Sequence, residues 1–393
     1  MSQLLNERWS ETKEALLEGL SGTRKSSMAV CLENTRRHLA ESATAGATSA
    51  GNIATLNRVI LPVIRRVMPT VIANEIIGVQ PMTGPVAQIH TLRVRYADGV
   101  ASGDTVTAGE EALSPFKIAQ AYSGNNASNG GANTTAALEG TPGKRMSIQI
   151  LKSPVEAKSR KLSARWTFEA AQDAQAQQGI DIEAEIMAAL AQEITAEIDQ
   201  EILTSLRSLA SVEETYDQAL VSGTATFVGD EHAALAIQIN RVSNLIAQRT
   251  RRGSANWAVV SNQALTILQS ATTSAFARTT EGTFEAPTNT KFVGTLNGAM
   301  RVYVDAYKSD TDDNNQILVG YKGTSEADAA AFYCPYIPLM SSGVVLDPAT
   351  FEPVVGFMTR YGYVELTNTA SSLGNAADYL GKVAITSANV SFK

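Results

Sequence analysis

Between Asp181 and Ser222 the chain contains neither glycine nor proline, so nothing interrupts a helix that begins near Asp181. The run predicts one helix over residues 181–209, which at ~1.5 Å per residue spans about 43 Å. Ile182, Ile186, Leu190, Ile194, Ile198, Ile202 and Leu206 recur at a strict step of four. Each step overshoots a full turn by about 40°, so the apolar stripe winds round the helix and no single flat partner can cover it. Ala184, Ala188, Ala189, Ala191 and Ala196 let different partners approach closely along its length. The rest of the chain must be built around this rod.

Ahead of the rod, Leu4, Leu5, Trp9, Ala15, Leu16 and Leu20 have helical spacing that Ser21-Gly22 ends. Residues 41–52 (ESATAGATSAGN) are small and polar and predict a linker, and a second helix follows over 53–66, kinked by Pro62. Residues 86–96 and 146–151 alternate as strands do. Residues 121–143 (AYSGNNASNGGANTTAALEGTPG) are too polar to build a core, so the two strands predict an extended two-stranded loop with a soft tip. A short helix over 167–178 ends at Gly179. After Gly223 the pattern becomes α/β, with helices over 232–250 and 262–270 and strands over 256–261, 300–306, 316–321 and 331–337. A long strand over 351–366 and a last one over 382–392 complete the expectation.

The 393 residues, 44% apolar and 18% charged, suit two or three core-forming units of a soluble protein. No run approaches the ~20 apolar residues of a membrane span. Glu7, Glu11, Glu14 and Glu18 stand where a signal peptide needs a basic start, which predicts a protein made and kept in a cytoplasm. Cys31 and Cys334 lie far apart, with no metal-ligand spacing to any His. The net charge of −7 argues against a surface that grips nucleic acid throughout.

The search for reaction chemistry returns little. Residues 140–145 (GTPGKR) resemble a phosphate loop, but Leu138 and Arg145 occupy positions that the pattern reserves for Gly and Ser or Thr. His38, His90 and His232 are isolated in different segments. What does stand out is charge. Lys144, Arg145, Lys152, Lys158, Arg160, Lys161 and Arg165 are opposed within their segment only by Glu156. Asp181, Glu183, Glu185, Glu193, Glu197, Asp199 and Glu201 follow on the long helix, with no Lys or Arg between them. Such segregation is unusual where mixed charges are the norm.

Several segments, in order, resemble the major capsid proteins of T-even-like tailed phages. They are residues 63–69 (VIRRVMP), 78–85 (GVQPMTGP), 155–162 (VEAKSRKL), 170–173 (AAQD), 301–305 (RVYVD), 319–323 (VGYKG), 333–336 (YCPY) and 355–362 (VGFMTRYG). The resemblance implies an α+β chain with the Hong Kong 97 (HK-97) phage capsid fold. Residues 1–75 would be the N-arm, 76–165 the extended E-loop and its stem, and 166–225 with 346–366 the peripheral P-domain with its spine helix. Residues 226–345 would be the axial A-domain and 367–393 a C-terminal tail that the resemblance does not cover. The loop tip is shorter than in T-even relatives.

The resemblance also implies a non-enzymatic subunit that needs no cofactor, assembles as hexamers and pentamers in the host bacterial cytoplasm, and closes an icosahedral virion capsid around double-stranded DNA. Vertex, portal and decoration proteins would be its other partners, the DNA a non-specific neighbour, and no membrane is involved. Because the E-loop of one subunit lies across the P-domain of the next in this fold, the basic segment 144–165 is expected to dock on the acidic helix of an adjacent copy. A family protease cuts after Glu in an apolar-x-Glu context, which Leu39-Ala40-Glu41 fits; the reading here is of an uncleaved arm that packs as a helix on the inner wall. The alternatives are an encapsulin-like compartment with the same fold and a protein cargo, and an α/β enzyme using Glu or Asp as acid and base.

Overall fold

The computed structural model describes residues 22–44, 71–99, 132–140, 142–178, 181–221, 228–250, 252–271, 290–305, 315–324, 328–347, 352–366 and 376–386, with short pieces among 9–20, 108–123 and 276–278 and the single residues 307 and 350. The helix expected over 53–66 and the ends of the tail lie outside the described residues.

The arm helix, Gly22–Thr44, runs through residues 41–44, where the sequence predicted a linker. The cause is tertiary. Met28, Cys31 and Leu32 are buried in the main core, and the buried Asn34 donates to the Met82 carbonyl at 2.6 Å and the Tyr336 carbonyl at 3.1 Å. A weakly amphipathic segment is thus held helical by what it covers.

Strand β1 (Gly78–Val79) leads into β2 (Val86–Tyr96), which pairs antiparallel with β3 (Met146–Glu156) from Val86↔Glu156 to Tyr96↔Met146. These two strands form a separate ribbon. Only Ala157 separates β3 from β4 (Lys158–Arg165), where the chain passes from the ribbon into another sheet. A short helix, Phe168–Gln178, precedes the spine helix, Ile182–Leu209. Asp181 caps the spine, its side chain accepting from the Glu183 and Ala184 amides.

Beyond the spine come β5 (Val212–Tyr216), a helix Val228–Thr250, β6 (Trp257–Val260), a helix Asn262–Ser270, β7 (Phe276–Arg278), β8 (Thr290–Leu296), β9 (Met300–Asp305) and β10 (Gln316–Gly320). Then follow β11 (Ala331–Leu346), β12 (Pro353–Glu365) and β13 (Leu380–Ile385). A seven-stranded sheet, called axial only after the expected domain, runs β5-β13-β10-β6-β9-β8-β7, and a four-stranded sheet, called peripheral on the same ground, runs β1-β11-β12-β4 with β4 at one edge. Two expected domain boundaries cut across these sheets. β11 lies largely within 226–345 yet pairs with β12 in the peripheral sheet, and β13, from the tail, is the second strand of the axial one, between β5 and β10.

The spine's winding stripe explains the packing. Ile194, Ile198, Ile202 and Leu206 are buried, while Ile182, Ile186 and Leu190 toward the N-terminus are only half-buried. The buried half is wedged between sheets. Val355, Phe357 and Tyr361 of the peripheral sheet share its core with Trp257, Val259 and Leu318 of the axial sheet. The opposite axial face, including Val260, Ile317 and Val319, packs with Leu235, Ile239 and Ile267 of the two axial helices.

Candidate assembly interface

Directly paired residues on antiparallel strands share a face, so the register sets Met146, Ile148 and Ile150 of β3 beside Tyr96, Val94 and Leu92 of β2. Among the described residues the β3 side of this face stays bare, Met146, Ile148 and Ile150 being 53%, 68% and 61% exposed, while Tyr96 on the β2 side is covered. Three large apolar residues at alternate positions on one face form a stripe rather than scattered surface residues. The other face is seated at the base, where Ile89 and Val155 join Met82, Phe332, Cys334 and Leu366 in a small core.

The far end of the ribbon is better built than its composition suggested. Tyr122 is buried against Tyr96, with ring centroids 4.5 Å apart, and its hydroxyl donates to the Arg145 carbonyl. The Gly109 and Ala112 amides donate to Tyr96 and Val94 carbonyls, both at 2.8 Å. Residues 121–143 were expected to make little core contact, and Tyr122 corrects that: its ring supplies apolar area that the polar residues around it lack. The helical turn Thr135–Leu138, by contrast, buries no residue.

The structure sorts the segregated charges into two groups. Some are used within the subunit. Arg160 forks to Glu197 at 2.6 Å and Glu201 at 2.5 Å, and its Nε donates to the Tyr361 hydroxyl at 2.6 Å, so β4 is tied to its own spine helix. Burial alone would raise the Glu201 carboxyl, but hydrogen bonds from Arg160 and Tyr361 outweigh it and hold that group below its ordinary range. Arg145 pairs with Asp98 at 3.1 Å and Arg165 with Glu352 at 3.8 Å. Hydrogen bonds donated to its carboxylate by the Arg145 side chain and backbone amide hold Asp98 below the usual carboxylate range. Lys144 donates to the Gly99 carbonyl at 2.6 Å. Asp181 is spent as the helix cap. Asp199 is a correction: it is buried and accepts from the Ile72 amide at 2.9 Å, so it cannot face another subunit. Neither Asp199's burial nor Arg160's inward turn was legible in a run of like charges.

The second group remains at the surface. Lys152, Lys158 and Lys161 are exposed along β3 and β4, as are Glu185 and Glu193 on the spine, while Glu183 is partly so. Ala184, Ala188 and Ala189 are exposed between those carboxylates, so this half of the spine presents a low, acidic surface. On the peripheral-sheet face turned away from the spine, Lys161, Ser163, Met340, Ser342, Gly356 and Met358 line a shallow groove. Leu39-Ala40-Glu41 lies within the arm helix, three residues before its end at Thr44. Among the described residues no three His, Cys, Asp or Glu are placed to share a metal ion, and no helix is long and apolar enough to cross a membrane.

Comparison with known proteins gives a consistent answer. A family model described as "Major capsid protein Gp23" matches residues 53–385. The major capsid protein of Vibrio phage KVP40 is 30% identical, over 84% of this chain and 80% of its own length. That of Enterobacteria phage T4 is 29% identical, over 81% and 76%. A solved chain of the capsid of Myoviridae phage XM1 overlaps more loosely, at 11% identity and a TM-score of 0.45, covering 78% of this chain and 89% of that one.

Proposed function

The chain belongs to the major capsid protein Gp23 family, and we propose that its copies close, as hexamers and pentamers, into an icosahedral head around double-stranded phage DNA. It is a subunit of a virion shell, with the α+β architecture that the Hong Kong 97 resemblance implies: an arm, a two-stranded ribbon, a spine helix and an axial sheet. The encapsulin-like and enzymatic readings are not favoured by this membership. Assembly in the host cytoplasm and contacts with vertex, portal or decoration proteins belong to the same proposal, as does the division into N-arm, E-loop, P-domain, A-domain and tail. We assign the chain no reaction.

One observation carries the reading: the stripe Met146, Ile148 and Ile150, for which the described residues supply no cover. Its burial against a neighbour would contribute roughly 25 cal/mol per Å² of apolar area removed from water, before the costs of association. The exposed Lys152, Lys158 and Lys161 and the acidic half of the spine give that contact a charge match, between copies and without Asp199, Arg160, Glu197 or Glu201. Substituting Ile148→Ser with Ile150→Ser tests it. The subunit should keep its melting behaviour, within about 0.5 kcal/mol for surface changes, while particles vanish from electron micrographs and sedimentation shifts to small species. Normal particles from this double variant would refute the contact.

A further inference from the structure

β4 runs beside β12 from Arg165↔Val354 to Lys158↔Tyr361 and then leaves it. One residue further along β12 stands Gly362, and there the departing strand has climbed over the sheet. A Cβ on residue 362 would lie 2.4 Å from Val155 Cγ1 and 3.2 Å from the Glu156 carbonyl oxygen. Val155 is buried in the small core with Phe332 and Cys334, which alternate with Tyr333 and so face away from the spine. The base of the ribbon is therefore pressed onto the sheet at a position of β12 with no side chain to hold it off. Beside this seat the ribbon joins the sheet through Ala157 alone on this strand, whose amide donates to the Pro85 carbonyl at 2.9 Å.

We propose that Gly362 sets the angle at which the ribbon leaves the peripheral sheet, and through it the angle between neighbouring subunits. The second half rests on reading the ribbon as the contact to a neighbour. Relief of an added methyl group cannot come from Val155, a β-branched side chain with a stiff first torsion, nor from the Glu156 backbone. It must come from lifting β3. The ribbon is eleven residues long, about 33 Å at ~3.3 Å per residue, so a small tilt at the base becomes a displacement of several ångströms at Ile148.

Two spin labels, at Ser147→Cys on the ribbon and Ala189→Cys on the exposed spine surface, report this angle in the unassembled subunit, since Cys31 and Cys334 are buried. Gly362→Ala should keep a cooperative melt, shift the label distance by several ångströms, and change particle diameter or reduce yield. Adding Val155→Ala, with Val155→Ala alone as baseline, should return both toward the parent values. An unshifted distance would overturn the proposal. So would a shift that Val155→Ala fails to reverse, or a Gly362→Ala chain that stays unfolded in the double variant. A reversed shift with unchanged particles would overturn the link to shell geometry. The Ile148 and Ile150 double variant tests the neighbour contact separately, so the two failures are distinguishable.

Discussion

The ribbon and the axial sheet are built from similar strands and meet opposite fates. In the axial sheet, β6 is buried at all four positions, Trp257 and Val259 toward the spine and Ala258 and Val260 toward the helices. Its strands read as nearly continuous apolar runs because both faces are covered within the subunit. The ribbon alternates, is covered at its base by Phe332 and Cys334, and leaves Ile148 and Ile150 in water. Alternation marks a face that needs cover. It does not say that the same chain provides it.

Removing axial packing should have the largest effect. Leu318→Ala empties a fully buried position between sheet and spine and should cost ~2–5 kcal/mol in equilibrium denaturation of the unassembled subunit. A loss below about 1 kcal/mol would mean that the axial core is no better filled than the ribbon, and the contrast would fail. Tyr122→Leu should matter less and only locally. It removes an aromatic pair contributing ~0.5–1.5 kcal/mol, so hydrogen exchange should speed up at the Gly109 and Ala112 amides and stay slow in β10. Acceleration throughout would show that the ribbon has no separate core. The smallest effect is expected from Lys158→Glu with Lys161→Glu. Exposed pairs contribute ~0.2–1 kcal/mol each, so the fold should be untouched and association should weaken mainly at low salt. Glu185→Lys with Glu193→Lys should partly restore it, by sedimentation; unchanged association at low and moderate salt would remove charge from the contact.

How much of this was legible depended on whether a signal was local. The spine was predicted at residues 181–209 and observed at Ile182–Leu209, because its cap and its lack of breakers lie within the segment. The ribbon strand β2 and the helix Asn262–Ser270 were read to the residue for similar reasons. The arm helix was not, since the helical spacing of Met28, Cys31 and Leu32 covers barely one turn of a long, largely polar segment. β7 and β8 were missed, although Asn297 and Gly298, at φ of 54° and 71°, mark the hairpin from β8 to β9. At the candidate interface, the exposed stripe could be read from alternation. The inward roles of Asp199 and Arg160 could not, because pattern gives a residue's neighbours in sequence and not its partners across the fold.

One edge of the peripheral sheet has a further consequence. A protein made in many copies is at risk from strands that can add a copy before the right contact forms, and β4 offers a row of backbone groups with no described strand beside it. Lys158, Lys161 and Arg165 project along that row. A second β4 laid parallel and in register against the first would set Lys158, Lys161 and Arg165 each against its like, which opposes growth into fibres. The charges that would help a correct neighbour also turn away an incorrect one.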